Sequence, residues 1–263
     1  MAFFNTSFHS DSLGMACSMN VIVPQRVSSQ IGMKSSGGRK QYPVLYLLHG
    51  MSDDHSVWSR RTSIERYVAD MDLVVIMPGA ARSFYTDLAT GAKYWTFISE
   101  ELPKIVAEFF PISTKREDTF VAGLSMGGYG ALKLALRCPD RYAAGAGISS
   151  VTDMAGFLNR LDSGNRSPEA DGFFGPDRKV PDDCDLTKLA IKTAQLPEQE
   201  RPKIMQICGT EDFLYQENIV FRDLIQSLNA YDYSYDEGPG THTWEFWDKR
   251  IQQILKWLPI RNF

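Results

Sequence analysis

Ser125 is the residue whose surroundings point most directly to chemistry. It lies in Gly123-Leu124-Ser125-Met126-Gly127, a G-x-S-x-G pentapeptide between an apolar run and a helical pattern. A tight turn in this context lifts the serine Oγ above a sheet edge, and the helix N-terminus behind it favours developing negative charge. The flanking glycines let the neighbouring backbone pass without a Cβ clash. We therefore predict that Ser125 is a nucleophile.

A serine nucleophile needs a base, and the chain has four histidines: His9, His49, His55 and His242. Strand–turn–helix serine sites place their partners in the order serine, acid, histidine. Only His242 follows Ser125, in a predicted loop before the last helix. The sequence therefore predicts His242 as the general base.

The acid must lie between the serine and the histidine, in a loop after a strand. Asp212 directly follows the apolar run KIMQIC and its Gly-Thr-Glu extension, and it is our choice. Its neighbour Glu211 is one alternative. Asp153, one strand earlier, is the other.

Two backbone N–H groups must face the charge that develops on a substrate oxygen. Met126, directly after the serine, supplies one. The segment His49-Gly50-Met51-Ser52 follows an early strand and supplies the other, with Met51 preferred and Gly50 as the alternative. We expect His49 to bond the loop backbone. The spacing of His49 and His55 does not match a metal site, so we predict no metal.

Aromatic residues in loops after strands are candidates for a substrate pocket. Trp58 and Trp95 are our substrate-binding choices, together with Gly50, and Phe84 and Tyr85 lie nearby. Core packing is an equally open interpretation of these aromatic side chains.

Alternating strand and helix patterns must position these residues. The predicted strands cover 13–24, 44–49, 73–77, 119–124, 143–148, 203–208 and 232–235, and the predicted helices cover 63–71, 95–110, 126–137, 216–229 and 244–258. Such alternation predicts an α/β fold with a mostly parallel sheet flanked by helices. Residues 150–200 are polar and poor in strand signals, which predicts a cap-like insertion within a single domain spanning 1–263.

Composition excludes several classes of protein. Hydrophobic residues make up 43% of the 263 residues, as in ordinary globular proteins. The net charge of −4 argues against a nucleic-acid partner, because the chain has no basic excess to neutralise phosphates. No apolar window is long enough to span a membrane, and no basic segment precedes an apolar one at the N-terminus. Four widely spaced cysteines without a C-x-x-C pair suggest free thiols and a cytoplasmic location, although disulfides outside the cell stay an alternative.

Four segments together resemble the esterase D family of α/β-hydrolases, which includes S-formylglutathione hydrolases, feruloyl and acetyl esterases and mycolyltransferases. The segments are YPVLYLLHGMSDD, FVAGLSMGGYGALKLAL, CGTEDFLYQEN and GTHTWEFWDKRI, within residues 42–250. They look most similar to small bacterial tributyrin esterases. The resemblance implies Ser125, Asp212 and His242 as the catalytic triad, Met51 and Met126 as oxyanion donors, and no cofactor.

The sequence as a whole predicts a serine carboxylesterase that acts on a small-molecule ester with a short acyl chain, acetyl to butyryl. An S-formylglutathione hydrolase or an acyltransferase on the same triad is the alternative, and a non-catalytic binding module is a third possibility. A homo-oligomer stays open.

Overall fold

The fold is built on one eight-stranded sheet. The computed structural model describes residues 1–29, 31–32, 35–162 and 164–261. The strands are β1 (Ala2–Ser10), β2 (Met15–Val23), β3 (Val44–Leu48), β4 (Val74–Pro78), β5 (Thr119–Leu124), β6 (Ala144–Ile148), β7 (Lys203–Gly209) and β8 (Tyr233–Gly238). They lie in the order β1-β2-β4-β3-β5-β6-β7-β8. Strands β3 to β8 pair in parallel, whereas β1 and β2 are antiparallel. The predicted α/β class with a mostly parallel sheet is confirmed.

Helices cover both faces of this sheet. They are α1 (Val57–Arg61), α2 (Ile64–Tyr67), α3 (Tyr94–Thr96), α4 (Leu102–Phe109), α5 (Met126–Arg137), α6 (Met154–Arg160), α7 (Pro168–Phe174), α8 (Leu186–Thr193), α9 (Tyr215–Leu228) and α10 (Trp244–Trp257). A π-helical turn, Phe97–Glu101, joins α3 to α4. Short 3₁₀ turns lie at Arg116–Asp118, Asp182–Cys184 and Glu198–Glu200.

Alternate strand residues enter two apolar cores. In β3, Val44 and Tyr46 pack with the core under α4, α5 and α8, whereas Leu45 and Leu47 pack with the core under α1 and α10. Because both faces of the central strands are covered, their residues form continuous apolar runs, which is typical of a parallel sheet. This is why the strand positions were predictable from VLYLL and its counterparts.

The N-terminal hairpin of β1 and β2 is fastened to the π-helical turn by a carboxylate. The Glu101 side chain accepts hydrogen bonds from the Ser10 hydroxyl (2.6 Å) and from the backbone N–H groups of Asp11 (2.6 Å) and Ser12 (3.2 Å). Strand β1 was missed by the sequence analysis, because this edge strand exposes most of its residues and shows no regular apolar alternation.

The segment 150–200 contains helices and no strand within its described residues, and it divides into two parts. Helix α6 borders a cleft at the carboxyl ends of the strands. Helix α8 instead packs against α5, with Leu186, Leu189 and Ala190 buried and the Thr193 hydroxyl donating to the Leu136 carbonyl (2.6 Å). The second part is therefore a flanking layer of the sheet.

The described residues bear on two expectations from the sequence, one about membrane-spanning helices and one about the cysteines. None of their helices has the length and hydropathy needed to cross a bilayer. All four cysteines are free thiols, three of them buried.

Candidate active site

Ser125 lies at the sharp turn between β5 and α5. Its backbone has φ 53° and ψ −118°, a strained conformation for a residue with a side chain. A Cβ added to Gly123 would lie 2.3 Å from the Gly127 carbonyl oxygen, and one added to Gly127 would lie 2.4 Å from the Leu48 carbonyl oxygen. The two glycines are therefore needed so that the turn can close and α5 can start against β3.

His242 and Asp212 complete a continuous series of hydrogen bonds that begins at this serine. His242 Nε2 lies 3.0 Å from Ser125 Oγ, and His242 Nδ1 lies 2.8 Å and 3.1 Å from the two Asp212 carboxylate oxygens. With Nδ1–H donating to the carboxylate, Nε2 is free to accept the serine proton. The structure thus brings together the three residues that the sequence singled out.

The Asp212 carboxylate is fully buried and still favours its charged form. Burial raises its pKa, but the hydrogen bond and charge of His242 and the Leu214 N–H (2.9 Å) outweigh that effect, and the pKa lies below its ordinary value. The carboxylate is therefore ionised at neutral pH and can stabilise a protonated imidazole.

The two alternative acids have other contacts. Glu211 accepts hydrogen bonds from the Gly240 N–H (2.6 Å) and the Thr210 hydroxyl (2.7 Å), and so braces the loop that carries His242. Asp153 accepts from the Gly156 N–H (2.9 Å) and caps α6. His242 meets Asp212 instead of either alternative.

The backbone of residues 48–51, which we call the His49 loop, is held by its carbonyl groups. The Leu48 carbonyl accepts from Trp58 Nε1 (3.0 Å), and the His49 carbonyl accepts from the Tyr85 hydroxyl (2.9 Å). The Gly50 carbonyl lies 2.7 Å from His49 Nδ1. Because C=O and N–H point in opposite directions across a trans peptide, each captured carbonyl sets the direction of the next N–H group.

His49 serves this loop as a neutral ring. Its Nε2 accepts from the Ala80 N–H (2.9 Å), so Nδ1 carries the proton that it donates to the Gly50 carbonyl. Burial lowers the pKa of His49, which favours the uncharged ring. Within the described residues, no group of three histidine, cysteine or acidic side chains could hold a metal ion.

The two predicted N–H donors are close to the serine in different ways, Met51 in the cavity lining and Met126 in the chain. Met51 follows the Gly50 carbonyl and lines the same cavity as Ser125. Met126 is the first residue of α5, where backbone N–H groups have no partner within the helix. The Met51 N–H belongs to the His49 loop, whose carbonyl groups are held by the contacts above, and the Met126 N–H belongs to the first turn of α5.

A cavity of about 710 Å³ opens in front of Ser125 and His242. Its charged lining residues are Asp53, Arg61, Arg160 and Glu245, and its apolar lining residues are Met51, Phe84, Leu124, Val151, Phe157, Leu161, Phe213, Leu214, Trp244 and Trp247. Most of the lining is thus apolar, as expected for a small-molecule site.

Trp58 and Trp95 do not lie in this lining, which corrects their predicted placement. Trp58 is 1% exposed and packs edge-on against Trp244, with ring centroids 5.2 Å apart. The Trp95 ring faces the buried Lys133 ammonium, 4.7 Å away. Of the three substrate-binding candidates, only Gly50 lines the cavity.

Several lining residues were missed by the sequence analysis. Phe213 directly follows Asp212, and its exposed ring lies against the His242 ring at 4.6 Å between centroids, with the planes tilted by 50°, so its position after the acid was a usable signal. Phe157 and Arg160 come from α6, in the segment with the fewest recognisable patterns.

The chain is similar to known esterases and serine hydrolases. The sequence pattern of the family described as "Putative esterase" matches residues 34–258. The acetyl esterase of Caldicellulosiruptor saccharolyticus is 31% identical over 98% of both chains. Two solved structures from Staphylococcus aureus are each 34% identical: the substrate-bound fluorophosphonate-binding serine hydrolase FphF (TM-score 0.86, 99% of both chains) and the S-formylglutathione hydrolase FrmB as apoenzyme (TM-score 0.82, 98% of both chains).

Proposed function

The chain belongs to this esterase family and is a serine hydrolase with the α/β-hydrolase fold, and from this premise we propose that it hydrolyses short-chain acyl esters through an acyl-enzyme on Ser125. The observation that carries the proposal is the unbroken hydrogen-bond series from Ser125 Oγ through His242 to the buried Asp212 carboxylate.

Acylation begins at the serine hydroxyl. His242 Nε2 takes the Ser125 proton as Oγ attacks the ester carbonyl carbon. The ring becomes an imidazolium, which the charged Asp212 stabilises and holds in one orientation. The carbonyl oxygen becomes an oxyanion, which the N–H groups of Met51 and Met126 receive.

The acyl-enzyme forms and then breaks by the same proton transfers. His242 gives its proton to the leaving alcohol oxygen as the ester C–O bond breaks. Water then enters, loses a proton to His242 and attacks the acyl carbon. The second oxyanion collapses as the bond to Ser125 Oγ breaks, His242 returns its proton to Oγ, and the carboxylic acid leaves. These steps need no cofactor.

The preference for short acyl chains rests on relatives and on the cavity. An acetyl esterase is among the relatives at 31% identity. Phe84 and Phe157 pack together in the cavity lining with ring centroids 4.1 Å apart, and we propose that they limit the length of the acyl chain. We therefore propose acetyl to butyryl as the acyl range.

A series of p-nitrophenyl esters from C2 to C12 tests this range. We expect kcat/KM to be highest between C2 and C4 and to fall beyond. Ser125→Ala should lower kcat by roughly 10⁶-fold, as for other triad knockouts. Ser227→Ala, on the exposed side of α9, is the matched control and should not change kcat. A near wild-type rate in Ser125→Ala would refute the acyl-enzyme, and a maximum at C8 or longer would refute the acyl range.

The 34% identity to FrmB favours one second candidate, hydrolysis of an S-formylglutathione thioester. The triad steps are the same, with a thiolate as leaving group. The two substrates can be compared directly with purified protein. A kcat/KM for S-formylglutathione more than 100-fold above that for p-nitrophenyl acetate would replace the ester proposal with the thioester one.

A further inference from the structure

Tyr85 lies in a strained segment behind the cavity. Phe84 and Tyr85 both have φ 50°, in the left-handed region that side chains other than glycine rarely adopt. Two such residues in succession persist only where the surrounding structure holds them in place. The contacts of the groups that hold Phe84 and Tyr85 therefore indicate the role of this conformation.

Lys133 is the first of these groups. It is fully buried on α5, and its Nζ donates to the Tyr85 carbonyl (3.1 Å) and to the Thr86 hydroxyl (2.8 Å). The Trp95 ring faces the same ammonium at 4.7 Å. A buried amine is costly unless its donors are used, and here one holds the Tyr85 backbone and a second holds the Thr86 side chain.

The helix also leaves room for the tyrosine ring. A Cβ added to Gly130 would lie 2.4 Å from the Tyr85 ring, so α5 admits this ring only because residue 130 is a glycine. Lys133 thus holds the Tyr85 backbone by a hydrogen bond, and the Tyr85 ring packs against α5 at Gly130.

The free end of Tyr85 reaches the His49 loop. Its hydroxyl donates to the His49 carbonyl at 2.9 Å, in a fully buried setting. Burial raises the pKa of Tyr85 well above its ordinary value, so the hydroxyl keeps its proton. The His49–Gly50 peptide is the one immediately before the peptide that ends in the Met51 N–H. Tyr85 therefore fixes the Gly50 N–H directly and the Met51 N–H through the next peptide, whose Gly50 carbonyl accepts from His49 Nδ1 at 2.7 Å.

We infer that Tyr85, held by Lys133, is a positioning residue that fixes the His49 loop so that the Met51 N–H faces the oxyanion. This inference rests on the proposed acyl-enzyme reaction. It differs from a purely structural role because the hydrogen bond acts on catalysis through the orientation of the two consecutive peptide planes that lead to the Met51 N–H.

Tyr85→Phe isolates the hydroxyl, and Tyr129→Phe is its matched control. Tyr129 is equally buried on α5, and its hydroxyl also donates to a backbone carbonyl, that of Cys184 at 2.7 Å. Loss of a whole oxyanion donor costs about 10²–10³-fold in kcat. We expect Tyr85→Phe, which only loosens one donor, to lower kcat for p-nitrophenyl acetate about 10- to 100-fold, with KM within about twofold of wild type.

A second readout follows the oxyanion itself. Ser125 Oγ adds to the carbonyl carbon of a trifluoromethyl ketone and forms a hemiketal oxyanion. The inhibition constant of the ketone should therefore rise in Tyr85→Phe by the same factor by which kcat/KM falls. In Tyr129→Phe both values should stay within about twofold of wild type. Lys133→Met should reproduce the kcat loss of Tyr85→Phe at unchanged KM if it folds.

Three outcomes would overturn the inference: a wild-type kcat in Tyr85→Phe, an equal kcat loss in Tyr129→Phe, or a kcat loss without weaker inhibition by the ketone. If Lys133→Met does not fold, the Tyr85→Phe and Tyr129→Phe pair still decides. An inactive wild-type protein would instead refute the proposed function, and so the two failures are distinguishable.

Discussion

Replacing Asp212 by asparagine separates the charge of the proposed acid from its shape. The asparagine oxygen can keep the hydrogen bond from the Leu214 N–H, which now measures 2.9 Å. The change is therefore confined to the negative charge and to the group that faces His242 Nδ1. No cavity forms, because the two side chains have nearly the same volume.

The expected loss follows from the geometry. The imidazolium formed during acylation lies against the carboxylate, with Nδ1 2.8 Å from the nearer oxygen. At about 4 Å between charge centres and an effective dielectric constant of about 20, this attraction is worth about 4 kcal/mol. Since each 1.36 kcal/mol corresponds to a tenfold change in rate, kcat should fall about 10³-fold.

Steady-state kinetics with p-nitrophenyl acetate provides the assay, and Asp153→Asn provides the control. Asp153 is an exposed cap of α6, and asparagine caps helices equally well, so we expect kcat within twofold of wild type. A thermal melt shows that both variants are folded. The reasoning fails if folded Asp212→Asn keeps more than a tenth of wild-type kcat, or if Asp153→Asn is the crippled variant.

Three further predictions concern the turn, the N-terminal hairpin and the cavity mouth. Gly127→Ala should lower the free energy of unfolding by about 3 kcal/mol in urea denaturation, because its Cβ would meet the Leu48 carbonyl; an unchanged value would contradict the contact. Burial raises the pKa of Glu101, but the hydrogen bonds that its carboxylate accepts outweigh burial and lower the pKa overall. The ionised Glu101 therefore stabilises the fold above about pH 4.3, and this stabilisation is lost as the pH falls through the folded-state pKa. Glu101→Gln should accordingly flatten the pH dependence of unfolding below about pH 5, and equal slopes would argue against it. Phe213→Ala should raise KM for p-nitrophenyl acetate about fivefold, and less for ethyl acetate, because a stacking surface beside His242 is lost; equal KM changes would exclude that contact.

The parts of the fold and site that were predictable from sequence are those with local causes. The G-x-S-x-G turn has its glycines where the backbone of β3, β5 and α5 comes too close for a Cβ, and strand β5 and helix α5 begin and end at the predicted residues. Asp212 and His242 follow strands of the same sheet, and the carboxyl ends of parallel strands meet at one edge.

The parts that were not predictable depend on distant partners. Trp58 turns inward because the Leu48 carbonyl needs a donor, and Trp95 turns inward because a buried ammonium lies beneath it. No spacing in the sequence indicates that Lys133 is buried, since lysine on a helix ordinarily faces solvent. The roles of Tyr85 and Lys133 require the tertiary contacts.

The division of residues 150–200 has a consequence for how this protein can acquire new specificities. Helix α6 contributes Phe157 and Arg160 to the cavity wall, whereas α8 is packed on the helix that begins at the serine. Changing the cavity-lining residues of α6 while keeping its buried Met154 and Leu158 would therefore redesign the substrate cleft. Exchange of residues 186–193 would remove the helix that packs against α5. A chimeric protein therefore has to retain these residues.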